Sequence, residues 1–110
     1  MNYHEAKELL GGRSHVRINH NTFLHGDNNE FKIRYYATDI LTFRRDGSIL
    51  VDCRGFRTPS TKDRMNEYLP ANKRIHSKRG VWYWQDDNIF QDKSSIQSNG
   101  SIRRPYNKTK

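Results

Sequence analysis

The chain has 110 residues, 33% hydrophobic and 29% charged, with a net charge of +8, which bounds it to one domain with a lean core and an electropositive surface. Its 12% aromatic content, two Trp, six Tyr and five Phe, supplies enough large apolar area to exclude disorder along the whole length. A single cysteine excludes an internal disulfide and points to a reducing compartment, no apolar run approaches the roughly 18 residues of a membrane helix, and Met1 to Glu5 lacks the basic and apolar regions of a signal peptide; the expectation is a cytoplasmic protein.

Asn2 followed three residues later by Glu5 reads as a capping box opening a short helix. Tyr3, Ala6, Leu9 and Leu10 share one face of it, and Gly11-Gly12 ends it. His15 to Leu24 alternates weakly and reads as a first strand, closed by the turn residues Gly26-Asp27-Asn28-Asn29. From Phe31 to Phe43 the odd positions are apolar except Asp39, a period of two with a bulge or break expected at that aspartate. Arg45-Asp46-Gly47-Ser48 is a hairpin signal, Asp-Gly suiting a type I′ turn, and Ile49 to Cys53 is the return strand.

After Gly55 the period changes. Thr58 before Pro59 is an N-cap followed by proline at the first helical position. Thr61, Met65, Tyr68 and Leu69 then recur at helical spacing up to Pro70. A second hairpin is expected from Arg74 to Gln85 around Gly80, with a last short strand at Ile89-Phe90. Beyond Asp92 the composition turns to Ser, Asn, Gln, Lys and Arg. The predicted fold class is therefore α+β: a small antiparallel sheet of about five to six strands with two short helices. It occupies 1–92, and 93–110 is a basic polar tail.

The charge is unevenly spread. Residues 1–55 carry eight basic and seven acidic side chains, and residues 56–110 carry twelve and five. The densest cluster, Arg57-Thr58-Pro59-Ser60-Thr61-Lys62-Asp63-Arg64, lies at a predicted helix start. Free backbone N–H groups and the helix dipole favour an anion there, and the hydroxyls of Thr58, Ser60 and Thr61 with Arg57, Lys62 and Arg64 resemble a phosphate cradle. Plain capping by Thr58 with solvated Lys62 and Arg64 accounts for the same residues equally well. Arg54, Lys73, Arg74, Lys78 and Arg79 flank the cluster, and Arg103 and Arg104 add charge in the tail. Trp82 and Trp84 share one face of the strand Val81-Trp82-Tyr83-Trp84. A core role is the first reading of both, and an exposed Trp82 beside arginine would stack a nucleobase.

Histidines 4, 15, 20, 25 and 76 and Cys53 match no zinc spacing, so neither metal nor other cofactor is expected. Cys53, on an apolar strand face, reads as a small buried hydrophobe. Asp39, Asp46 and Asp52 form no carboxylate pair suited to a nuclease, and no enzymatic activity is expected.

The middle of the chain resembles a family of small uncharacterised bacteriophage proteins. The specific piece is Gly55-Phe56-Arg57-Thr58 continuing through Ser60-Thr61-Lys62-Asp63-Arg64-Met65-Asn66, a Gly-aromatic-Arg-Thr-x-Ser/Thr-Thr-Lys-x-Arg-Met-Asn pattern. Asn21-Thr22, Thr38-Asp39-Ile40, Asp46-Gly47 and Gly80-Val81-Trp82-Tyr83 accompany it over roughly 21–92. The chain departs from the pattern at Arg54, where a second glycine is usual, at Ser60, where threonine is usual, and at Asp92-Lys93, where Asp-Gly is usual. The resemblance implies a viral origin and a small accessory role in the host cytoplasm, and carries no activity with it. Composition and cluster together point to binding of nucleic acid, RNA or DNA, or of a nucleoprotein, as in an anti-CRISPR-like factor acting on a host or defence machine. The alternatives are a protein-inhibitor module that touches no nucleic acid and, less favoured, a minimal nuclease.

Overall fold

The computed structural model describes residues 1–27 and 29–105. Asn2 caps α1 (Tyr3–Leu10) through the expected capping box, and Gly11 closes it in the left-handed conformation. Seven strands then make one antiparallel sheet: β1 (His15–Asn19), β2 (Thr22–Gly26), β3 (Glu30–Tyr35), β4 (Thr38–Arg44), β5 (Ile49–Val51), β8 (Ser94–Ile96) and β9 (Ile102–Arg103), in that spatial order. Between β5 and β8 the chain leaves the sheet to form α2 (Pro59–Tyr68) and the separate hairpin of β6 (Ile75–Lys78) and β7 (Val81–Trp84). The α+β class holds, with nine strands among the described residues against the five to six expected.

The additional strands have local causes. The expected first strand is a hairpin, reversed at Asn21, whose φ of 53° asparagine tolerates better than most residues. The long alternation from Phe31 also breaks in two, at Tyr36-Ala37, with Tyr36 at φ 56° and its N–H donating to Asn21 O at 2.9 Å. No glycine, proline or asparagine marks that turn. Next to it the register skips Ile40, so that Ile33 faces Leu41 while Arg34 faces Asp39. This bulge turns both Ile40 and Leu41 into the core and leaves Asp39 on the opposite face. At Asp46-Gly47 only Gly47 has positive φ (92°), and Asp46 accepts from the Ser48 N–H and hydroxyl. The turn is type I with a glycine bulge in place of the expected type I′.

Residues 93–103 also depart from the expected tail. Ser94, Ser95 and Ile96 are buried in β8, Ile96 opposite Ile49, and β9 adds Ile102 opposite Ile96. Two isoleucines placed against an existing edge suffice, since ladder partners and one apolar face, not composition, make a strand. Residues 106–110 lie outside the described residues.

One face of the sheet is apolar: Leu24, Phe31, Ile33, Leu41, Phe43, Ile49, Val51 and Ile96 are buried on it. Both helices and the β6–β7 hairpin pack there, giving Tyr3, Ala6 and Leu10 of α1, Met65 of α2 and Trp82 and Trp84 of β7 to the same core. Asn66 joins α2 to β6 as a backbone would, donating to Ile75 O and accepting from Ile75 N–H, each at 2.8 Å. Its partner is therefore the strand that follows. Replacing Asn66 with Ala strands both backbone groups of Ile75, and a destabilisation of about 1–3 kcal/mol is expected in urea unfolding.

Candidate functional site

The residues singled out in the sequence divide into three places. At the start of α2, Thr58 is the N-cap: its hydroxyl accepts from the Thr61 N–H at 3.2 Å and bonds the Thr61 hydroxyl at 2.7 Å. Ser60 Oγ lies 3.3 Å from Thr58 Oγ1. The hydroxyls thus satisfy one another and the helix end. Beside them opens an apolar cleft of 380 Å³ between Tyr35, Tyr36, Ile40, Cys53 and Phe56, with Phe56 58% exposed at its rim.

The cations of the cluster are directed elsewhere. Arg57 Nη1 donates to both carboxylate oxygens of Asp92 at 3.0 Å and to Cys53 Sγ at 2.7 Å. Its guanidinium also covers Trp82 and Phe90, 5.1 and 4.9 Å from the ring centres. Arg64 pairs with Glu67 at 2.6 Å and lies over Tyr35. Lys62 donates to Ser77 Oγ at 2.9 Å, which places the first turn of α2 beside β6. Trp82 is 5% exposed and belongs to the core; a base-stacking role for it is excluded because Arg57 and Phe90 cover its ring.

Arg74, Lys78 and Arg79 are exposed along the β6–β7 hairpin, Arg79 at its tip with φ 54°, and Lys73 lies in the field of Asp86. Arg54, Arg103 and Arg104 are also exposed. Arg54 sits with Lys32, Arg34, Asp39, Asp52 and Lys93 around a depression of 350 Å³ on the sheet face opposite the core. Arg103 projects on that same face, in one cross-strand row with Ser95, Leu50, Thr42, Lys32, His25 and His15. Arg54 and the basic residues from Lys73 to Arg79, which flank the cluster in sequence, are therefore on two surfaces, because the excursion through α2 carries Lys73 to Arg79 to the core side of the sheet.

Sequence reasoning overlooked Asp92. Its carboxylate also accepts the Cys53 N–H at 2.8 Å and the Gly55 N–H at 2.9 Å, closing the segment that leaves β5 onto the segment that enters β8. Burial pushes this carboxyl up, but the hydrogen bonds from Cys53 and Arg57 outweigh it and hold it below the usual 3.8. Burial, and then Asp92, push the Cys53 thiol up to about 11, so it stays protonated and unreactive at neutral pH. Asp39 is likewise held low, its burial outweighed by bonds from His25 at 2.8 Å and Arg34 at 3.1 Å. No group of three or more His, Cys, Asp and Glu suited to a metal ion exists among the described residues, and no helix there is long and apolar enough to cross a membrane.

Fold and surface together define a small basic α+β protein built on an open-faced antiparallel sheet. Residues 4–103 match the family described as Kyanoviridae Gp96 protein, and the chain belongs to that family of phage proteins. No curated protein and no solved structure matches it.

Both departures from the glycine pattern, Arg54 (φ 52°) and Lys93 (φ 66°), stand in the left-handed conformation. A side chain there costs about 1 kcal/mol that glycine avoids. Arg54→Gly and Lys93→Gly are each expected to raise Tm by roughly 2–6 °C in differential scanning calorimetry. Asp92→Asn is expected to cost about 2 kcal/mol at neutral pH. Because the folded pKa of Asp92 is lowered, its contribution is complete above 3.8 and is lost as pH falls through the folded value. Urea unfolding followed from pH 6 to 2 should therefore show a shallower acid loss for Asp92→Asn than for the unaltered protein.

Proposed function

We propose that this phage protein binds nucleic acid, free or within a nucleoprotein of the host or its defences, and acts by occupying it. The observation that carries the reading is a surplus of cations without counter-charges. Lys32, Arg34, Arg44, Arg57 and Arg64 are in ion pairs with acidic residues. The other lysines and arginines among the described residues are in none, Arg54, Lys93 and Arg103 on the sheet face among them. With a net charge of +8, association with a phosphate backbone releases condensed counterions and is favourable at low salt without any sequence-specific contact.

Val81, two residues before Tyr83 on β7, and Ile89, bridged opposite Tyr83, are both exposed and favour a second reading, docking on another protein. Fluorescence anisotropy with labelled RNA and DNA oligonucleotides separates the two. For about four phosphate contacts to a single strand, affinity should fall about 50-fold between roughly 50 and 200 mM salt. Absence of binding at low ionic strength, together with a host-protein pull-down that survives nuclease and high salt, would establish the second reading in place of the first.

A further inference from the structure

Resting on the nucleic-acid reading, we infer that the ligand is single-stranded and lies across the open face of the seven-stranded sheet. Phe23 and Tyr36 serve there as base-stacking platforms, and Arg34, Arg54 and Lys93 as phosphate contacts. Both helices and the second hairpin pack on the opposite face, so no element of the described fold covers this one.

Register places Arg17, Phe23 and Arg34 side by side on three adjacent strands; Arg34 lines the same depression as the partly exposed Phe23 ring, and the Arg17 guanidinium turns to Asn19 O and His20. Tyr36 continues the line. Its ring is 64% exposed and shares with Phe23, Arg34, His15 and His25 a shallow depression of 550 Å³. Arg34 also borders the neighbouring depression that holds Arg54 and Lys93, so the two join into one surface. The acids on it are Asp39, already engaged by His25 and Arg34, and Asp52, which accepts the Arg54 N–H. Through Nε Arg34 holds Asp39, and its terminal nitrogens have no partner among the described residues.

Backbone conformation adds an independent argument. Of the four large side chains at positive φ among the described residues, where glycine or asparagine is least costly, Tyr36, Arg54 and Lys93 border this surface and Arg79 stands at the β6–β7 tip. None is buried, so the strain is not offset by packing in the core. What the three on this surface add is a ring and two charges on one face. Phe23 meets the His15 ring at 6.2 Å and Tyr36 the Tyr35 ring at 4.7 Å, each T-shaped. The area they leave exposed beside Arg34 suits unpaired bases, whose faces are free to stack, while a shallow sheet surface offers no helix or ribbon to enter a duplex groove.

The test uses oligothymidylate and oligouridylate of about 15 nucleotides, within the span of a single-strand site of this kind, against a duplex of equal length. The single strands are expected to bind at least tenfold more tightly than the duplex. The Arg54→Gly/Lys93→Gly double variant removes two charges where glycine relieves strain, so it should fold at least as stably. It should bind about tenfold more weakly and lose about 1.4 from the magnitude of the logarithmic salt slope, the share of two single-strand phosphates. Tyr36→Gly, also compatible with its backbone, should cost about tenfold with the salt slope unchanged. Equal or tighter binding of the duplex overturns the inference. So does a loss of affinity on Lys78→Ala/Arg79→Ala with none on Arg54→Gly/Lys93→Gly, a result that leaves nucleic-acid binding intact and moves it to the hairpin tip. No binding of any of the three probes at low salt removes the functional reading as well.

Discussion

The Asp92 carboxylate holds together the two points at which the chain leaves and rejoins the main sheet. Between β5 and β8 some forty residues depart to build α2 and the second hairpin, and nothing in the sheet ladder dictates where that excursion rests. Asp92 fixes both ends: it accepts N–H groups from Cys53 and Gly55 on the outgoing side and sits beside β8 on the returning side. Arg57 completes the contact, and because its guanidinium also lies on Trp82 and Phe90, the ion pair clamps the second hairpin against the same junction. The two side chains stay 31% and 24% exposed, and Asp92 accepts from Cys53, Gly55 and Arg57 together; a charge pair bonded in this way orients a structure even where its net stabilisation is modest.

This arrangement decides which cations remain for a partner. Arg57 and Arg64, the two guanidinium groups of the helix-start cluster, are consumed by Asp92 and Glu67 and by aromatic rings. The capping hydroxyls of Thr58 and Thr61 bond one another. What looks in sequence like an anion cradle is in three dimensions a joint. On the open sheet face Lys32, Arg34 and Arg44 are paired with Glu30 and Asp39, while Arg54, Lys93 and Arg103 are in no ion pair among the described residues, and the face accepts backbone strain at Tyr36, Arg54 and Lys93. A segment that spends its charges internally gains position; a surface that leaves them free gains only electrostatic potential.

Much of the fold was legible from residue order. The capping box at Asn2 and Glu5, the Thr58-Pro59 helix start, the stop before Pro70 and the hairpins around Gly47 and Gly80 depend on contacts within a few residues, so local chemistry determines them. The buried alternation of β3 was visible for the same reason. Membership of a phage family was also foreshadowed, in the motif from Gly55 to Asn66.

Tertiary structure alone decided the rest. The Tyr36 turn carries no turn residue, since Asn21 in a neighbouring hairpin accepts its N–H. β8 and β9 exist because β5 presents an open edge, and the partner of Asp92 lies 35 residues away in the chain. Above all, the sequence determined how much positive charge the protein carries. Which charges are free, and that Arg54 belongs with Lys93 and Arg34 and not with Arg79, followed from the path of the chain through α2. Charge is a property of residues, whereas its availability depends on which residues the fold brings within hydrogen-bonding reach.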